Sequence, residues 1–246
     1  MLIDTHFHLD LMDNMQSLIR ELQTADVGVF AVGTTPRAYT KEKQFCFGIE
    51  NIKIGMGMHP QLVAEEWQAL ELFQSLAKES TFIGEIGLDF NNNYLSNKDK
   101  QLFCFREIAN ICADEGGKII SIHSVKAART VIEELNKVEA FEKNICIFHW
   151  FTGSAVERKM AIDSKAWFSI NPRMLKTKSG QETIKLIPRN KILLETDAPF
   201  TMEIKDVATL KAELEKLTAG ISEIRGEDMR EQIEENSLRI IHGKCC

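Results

Sequence analysis

Eight short apolar runs, separated by segments of helical periodicity, constrain this chain more than any other feature. The runs are Leu2 to His8, Val27 to Val32, Ile52 to Met58, Phe82 to Gly87, Lys118 to Ile122, Ile145 to Phe148, Ala166 to Ile170 and Lys191 to Leu194. Between them lie stretches with apolar residues three and four apart, such as Met15, Leu18, Ile19 and Leu22, in a helix that Asp13 can cap and that runs to about Ala25. Strands that alternate with helices, without hairpin turns, must pair in parallel through right-handed crossovers. Eight such units close most simply into a (β/α)8 TIM barrel of the α/β class, and 246 residues suit one such domain, residues 1–246. A doubly wound open sheet would need a glycine-rich phosphate turn after the first strand, and Thr5-His6-Phe7-His8 is not one. The final stretch from Lys205 to Ile241 reads as helical, with interruptions at Gly220 and Gly226.

Composition narrows the function. A net charge of -6 offers no bulk attraction for nucleic acid and no polybasic membrane surface. Any phosphate substrate must therefore be held locally, by a few side chains or by bound cations. The six cysteines, Cys46, Cys104, Cys112, Cys146, Cys245 and Cys246, contain no C-x-x-C pair and read as reduced thiols. With no signal-like N-terminus and no long apolar run, the expectation is a cytoplasmic protein without membrane association.

The histidines carry the chemical signal. His6 and His8 are two apart on a strand and so share a face. His59, His123 and His149 each follow a predicted strand, as do Glu85 and Asp197. In a barrel all strand C-termini meet at one mouth, so seven ligand-type groups from six strands converge there. Singly, each has a bland reading as a capping or carbonyl-bonding residue. Together they imply cations that neutralise the carboxylates and order the imidazoles. The number of ligands exceeds what one ion needs, so two divalent ions bridged by Glu85 are expected, with Mg, Mn, Zn or Fe suited to the mixed donor set. Such a pair, about 4 Å apart, activates water and stabilises a leaving oxygen in phosphodiester cleavage. His242, in the final helix, reads as structural or exposed.

The segments Asp4-Thr5-His6-Phe7-His8-Leu9-Asp10, Gly57-Met58-His59-Pro60, Gly84-Glu85-Ile86-Gly87-Leu88-Asp89-Phe90, Ile122-His123-Ser124, His149-Trp150-Phe151-Thr152-Gly153 and Glu195-Thr196-Asp197-Ala198-Pro199-Phe200 resemble, in order, those of the TatD family of metal-dependent DNases within the amidohydrolase superfamily. The resemblance implies a metallo-dependent hydrolase barrel with one metal on His6, His8, Glu85 and Asp197 and a second on Glu85, His123 and His149. It further implies Asp197 as the base for the attacking water, His59 beside the substrate phosphate, and 3′–5′ exonucleolytic action on DNA with single-stranded ends. Val32-Gly33-Thr34-Thr35-Pro36, His59-Pro60-Gln61-Leu62-Val63 and Trp167-Phe168-Ser169 resemble the TatD-like nucleases of Qat anti-phage cassettes, which implies an antiviral role and protein partners in a defence complex.

Two departures bear on substrate grip. The family's fifth-strand motif continues with Arg-Asp, whereas here Val125-Lys126 follows, so that one phosphate or scaffold contact is either lost or replaced by Lys126. The Pro- and Arg/Asn-rich segment after the eighth strand gives way to Thr201-Met202-Glu203-Ile204. Arg173, Lys176 and Lys178 follow strand seven, where barrels bind phosphate, although a charged loop is also an ordinary solvated surface. Trp150 suits either base stacking or core packing, and Phe151 reads as core. Two other functions compete with the nuclease: an amidohydrolase for C–N or carboxyl ester bonds, and a subunit in which metals only hold the barrel. No lysine stands at the end of the fourth or fifth strand to bridge metals, against the former; no ligand is missing, against the latter.

Overall fold

Burial along most of their length makes strands of the eight apolar runs, because each meets helices on one face and the barrel interior on the other. A computed structural model, describing residues 1–242, places them as β1 (Leu2–Phe7), β2 (Val27–Val32), β3 (Ile52–Met58), β4 (Phe82–Gly87), β5 (Ile119–His123), β6 (Ile145–His149), β7 (Trp167–Ile170) and β8 (Ile192–Leu194). They close in chain order into a parallel barrel, with Asp4 of β1 opposite Leu194 of β8 at the closing seam. Cys245 and Cys246 lie outside the described residues; Cys46, Cys104, Cys112 and Cys146 are buried. Among the described residues no helix is long and apolar enough to cross a membrane.

The two-residue period of a strand sorts the interior into layers. Ile119, Ile145, Trp167 and Leu193 pack with Phe30 and with Ile240 of the last helix in one apolar cluster. Two residues further along come Ser121, Ile147, Ser169 and Glu195, and two further His123, His149, Asn171 and Asp197. Each strand thus passes from an apolar plug to polar groups at its C-terminal end. The last helix, Arg230–Ile241, closes the opposite end, where Asn236 donates to the carbonyls of Arg189 and Ile192 at 2.9 and 2.8 Å.

Three glycines shape the wall beside Glu85. Gly33 donates to the carbonyl of Gly84 at 2.8 Å and accepts from the Glu85 N–H at 2.7 Å, so backbone following β2 reaches β4 across β3. This is possible only because Gly57 has no side chain: a Cβ there would lie 1.7 Å from the Gly33 oxygen.

Several local expectations shift for tertiary reasons. The first helix is Met15–Leu22 with Asn14, not Asp13, at its N-cap position, and Asn14 donates to the carbonyls of Ile204 and Lys205 instead of capping. It stops before Ala25 because Asn51 takes up the carbonyls of Leu22 and Ala25, at 2.9 and 2.8 Å. The helix Val207–Arg225 runs straight through Gly220, whose missing Cβ leaves room for Leu175 at 2.7 Å. Gly226, at φ +68°, does end it, in the left-handed conformation glycine favours.

Two predictions follow from packing and burial. Gly57→Ala forces the Gly33 backbone away from Glu85 and should cost roughly 3 kcal/mol or more, read as a lowered denaturation midpoint; an unchanged midpoint refutes the close-approach role. Glu42, on the helix Pro36–Phe45, is pushed up to about 7 by burial and by Asp10 nearby. The unfolded chain releases this proton near the ordinary carboxylate range while the native state keeps it to about pH 7, so stability falls as pH rises through that window. Glu42→Gln should therefore stabilise the protein at pH 8 by roughly 1–2 kcal/mol, allowing for its partial exposure, with the gain fading below pH 5. Equal gains at both pH values in chemical denaturation would refute this origin.

Candidate metal centre

The mouth of the barrel is organised around Glu85. Its carboxylate is buried and divides its two oxygens between two groups of imidazoles. Oε2 lies 3.3 Å from His6 Nε2, 3.6 Å from His8 Nε2 and 3.4 Å from His59 Nε2. Oε1 lies 2.6 Å from His123 Nδ1 and 3.0 Å from His149 Nε2. Asp197 Oδ1 joins the first group, 3.5 Å from His8 Nε2 and 3.9 Å from His6 Nε2. The structure thus brings together His6, His8, His59, Glu85, His123, His149 and Asp197, while His242 is exposed at the end of the last helix.

Each side chain is aimed by residues distant in sequence. Ser121 Oγ lies 2.7 Å from His6 Nδ1, which fixes the ring and turns Nε2 toward Glu85. His6 stacks on His149 with centroids 3.9 Å apart and planes 9° from parallel. Asp4 ties β1 to the segment after β8, accepting from the His6 N–H at 3.1 Å and from the Thr196 N–H and hydroxyl at 3.1 and 2.5 Å. The Asp197 N–H donates to the His6 carbonyl at 3.1 Å, holding Asp197 at φ +55°, a left-handed conformation that Asp tolerates better than most side chains.

Charge follows geometry. Burial opposes ionisation of Glu85, but His59, His149, His6 and His123 together outweigh it and hold its carboxyl well below the usual carboxylate range. Burial, with His149 adding to it, pushes His6 down to about 3, so its ring is neutral at ordinary pH. For His149, burial is outweighed by Glu85 and Glu195, and its pKa rises well above the ordinary imidazole value. Burial pushes Asp4 up to about 7 against the bonds from Thr196.

This donor set fits divalent ions. His6 Nε2, His8 Nδ1, His149 Nδ1 and Glu195 Oε1 are buried without a hydrogen-bond partner, a cost that a native site offsets with a ligand. Tetrahedral bonds of 2.0–2.1 Å place neighbouring donors about 3.4 Å apart, and the separations of His6, His8, Glu85 and Asp197 bracket that value. His6, His8 and Glu85 form one group able to hold an ion, His59, Glu85 and His123 another, and His6, His149 and Glu195 a third.

Two members of the site were not singled out in the sequence. Glu195, fully buried in the run Glu195-Thr196-Asp197, bonds Ser169 Oγ and lies 3.7 Å from His149 Nδ1. Asp89 accepts from Gln61 Nε2 at 2.8 Å and lies 3.1 Å from His123 Nε2, and these bonds outweigh burial to keep its carboxyl low. The available signal for both was parity: Glu195 lies two residues before Asp197, and Asp89 two after Gly87, the last residue of β4.

A cleft of about 550 Å³ opens over the cluster, with His8, His59, Glu85, His123, His149 and Asp197 at its floor and Trp150 and Phe200 among its walls. Lys126, Arg173, Lys176 and Lys178 are exposed and do not line it. Phe151 is buried in the core, as expected.

The sequence model of TatD related DNases matches residues 3–242. An uncharacterized metal-dependent hydrolase, YabD of Bacillus subtilis, is 29% identical over 89% of this chain and 92% of its own. A 3′-5′ ssDNA/RNA exonuclease, TatD of Erwinia tasmaniensis, is 29% identical over 59% of this chain and 58% of its own. Among solved structures, the TatD homolog YJJV of Escherichia coli superposes with a TM-score of 0.80 at 19% identity, covering 98% of this chain and 96% of that one.

Added Mn or Zn should raise the melting temperature, and the rise should shrink between pH 7.5 and pH 5.5 as protons compete for the imidazoles. A melting temperature indifferent to metal, with none bound by elemental analysis, would refute the assignment.

Proposed function

The chain belongs to the TatD related DNase family of metal-dependent hydrolases, and from that premise we propose that it is a two-metal phosphodiesterase that shortens DNA from unpaired 3′ ends. The observation that carries this is the division of Glu85, one oxygen facing His6 and His8 and the other facing His123 and His149. That is how a bridging carboxylate is presented. The name of the Erwinia relative supports the polarity and the preference for single strands.

Two bound divalent cations would supply Lewis acidity and positive charge at the scissile phosphate. His6, His8, Glu85 and Asp197 would hold one and Glu85, His123 and His149 the other. Asp197, 4% exposed and at the cleft floor, would take the proton from the attacking water. The water oxygen forms the new bond to phosphorus, the bond from phosphorus to the 3′-oxygen breaks, and solvent protonates the departing oxygen. His59, partly exposed at the floor, would contact the phosphate. No lysine or arginine lines the cleft among the described residues, so positive charge for a polyanion falls to the cations, in keeping with the chain's net charge of -6. The absence of a lining lysine also favours this reading over an amidohydrolase bridged by a modified lysine. The resemblance of Val32 to Pro36, His59 to Val63 and Trp167 to Ser169 to the Qat-cassette nucleases supports placing the activity in anti-phage defence, with partner proteins of that complex.

The direct test is hydrolysis of labelled DNA, RNA and amide substrates with Mg, Mn and Zn. DNA shortened from its 3′ end supports the reading, and amide cleavage alone overturns it. Asp197→Asn preserves shape but removes the basic oxygen, so at saturating metal it should lower the rate about 10²- to 10⁴-fold while still binding DNA. Wild-type turnover in this variant would place the base elsewhere.

A further inference from the structure

The cleft wall holds side chains that the hydrolytic step does not use. Trp150 follows β6, Phe200 follows β8, and both face the cleft, together with Leu11, Leu62 and Val125. Phe200 is 59% exposed, and its ring meets that of His8 edge-on, with centroids 5.0 Å apart. Trp150 is held at φ +36°, an unfavourable backbone for a bulky residue and one that occurs where function constrains a side chain.

Arg173, after β7, connects the two. Its guanidinium lies 5.1 Å from the centre of the Trp150 ring, and Nη2 donates to the Phe200 carbonyl at 3.3 Å. A planar cation stacked on a ring and bonded to a carbonyl is a strut. Arg173 therefore fixes two aromatic loops at one rim.

A large exposed ring beside a ligand histidine leaves apolar area that a flat apolar group would cover, at about 25 cal/mol per Å². In a nucleic acid that group is the base, and bases stack on aromatic side chains whatever their identity. Resting on the phosphodiesterase reading, we propose that Trp150 and Phe200 form a stacking clamp for an unpaired nucleobase beside the scissile phosphate, with Arg173 as its positioning residue. Binding energy then comes mainly from base stacking and little from phosphate charge, so a terminal base still paired in a duplex is a poor substrate.

The test compares two phosphorothioate oligodeoxynucleotides, which resist cleavage, one fully base-bearing and one with abasic sites at its last two 3′ positions. Affinities are measured by fluorescence anisotropy on the metal-loaded protein between 50 and 200 mM salt. The base-bearing strand should bind roughly 5- to 150-fold more tightly, with a shallow salt slope, because few phosphates are neutralised by side chains. Phe200→Ala should remove most of that preference and Phe200→Tyr should keep it; both should fold, since the ring is largely exposed. Arg173→Lys keeps the charge but loses the planar stack, and should lose preference and raise KM on cleavable DNA with kcat little changed. Equal affinity for the two strands, or a preference indifferent to Phe200→Ala, overturns the clamp. Full preference in Arg173→Lys overturns the strut. Binding with the expected preference but no cleavage of the phosphodiester analogue supports the clamp and overturns the hydrolytic reading.

Discussion

One buried negative charge, Glu85, sets the terms for the mouth of the barrel. An ionised carboxylate taken out of water is strongly disfavoured unless positive or donor groups surround it. Here His59, His149, His6 and His123 provide that surrounding, and the glycine gap at Gly33 and Gly57 lets backbone approach closely enough to put the carboxylate among them. The same convergence that offsets the burial of Glu85 leaves imidazole nitrogens unpartnered. Stabilising the carboxylate and preparing it for cations are therefore one arrangement, and neither His6 nor His149 can be assigned to packing alone.

The fold was legible because the eight strands are predominantly apolar runs, and six of them lead into ligand-type residues at their C-terminal ends. Parity then made the site legible. His6 and His8 share a face by their spacing, and His123 and His149 end β5 and β6 two residues beyond Ser121 and Ile147. What sequence could not supply was contact across strands. Ser121 reaches His6 from 115 residues away and Gln61 reaches Asp89 from 28, and nothing in the local pattern of either serine or glutamine marks it. Asp13 was an ordinary capping candidate, displaced because Asn14 bonds carbonyls near residue 205. Gly220 was an ordinary helix breaker, overridden by Leu175 packing where its Cβ would be.

Charge placement was the least legible feature. Lys126, Arg173, Lys176 and Lys178 follow barrel strands and are positive, which sequence alone leaves open as a phosphate grip or a solvated surface. In the fold Lys126 sits at φ +53° on an exposed turn, Lys176 and Lys178 are exposed outside the cleft, and Arg173 packs on Trp150. Side-chain direction, which decides whether a cation meets substrate, depends on turn geometry that a linear pattern does not encode.

The division of labour along the barrel axis suits the proposed action of a chain of net charge -6 on a polyanion. The apolar plug formed by Phe30, Ile119, Ile145, Trp167 and Leu193 carries stability at one end. The other end can then concentrate buried titratable groups without an apolar core beneath them being compromised. On the proposed reading, cations held at the floor of the cleft act over a short range, since screening at physiological salt limits exposed charges to about 8 Å. On that reading long-range steering of DNA is given up. On the same reading affinity is generated after contact, by groups that recognise something other than charge, and the aromatic rim beside His8 would supply them.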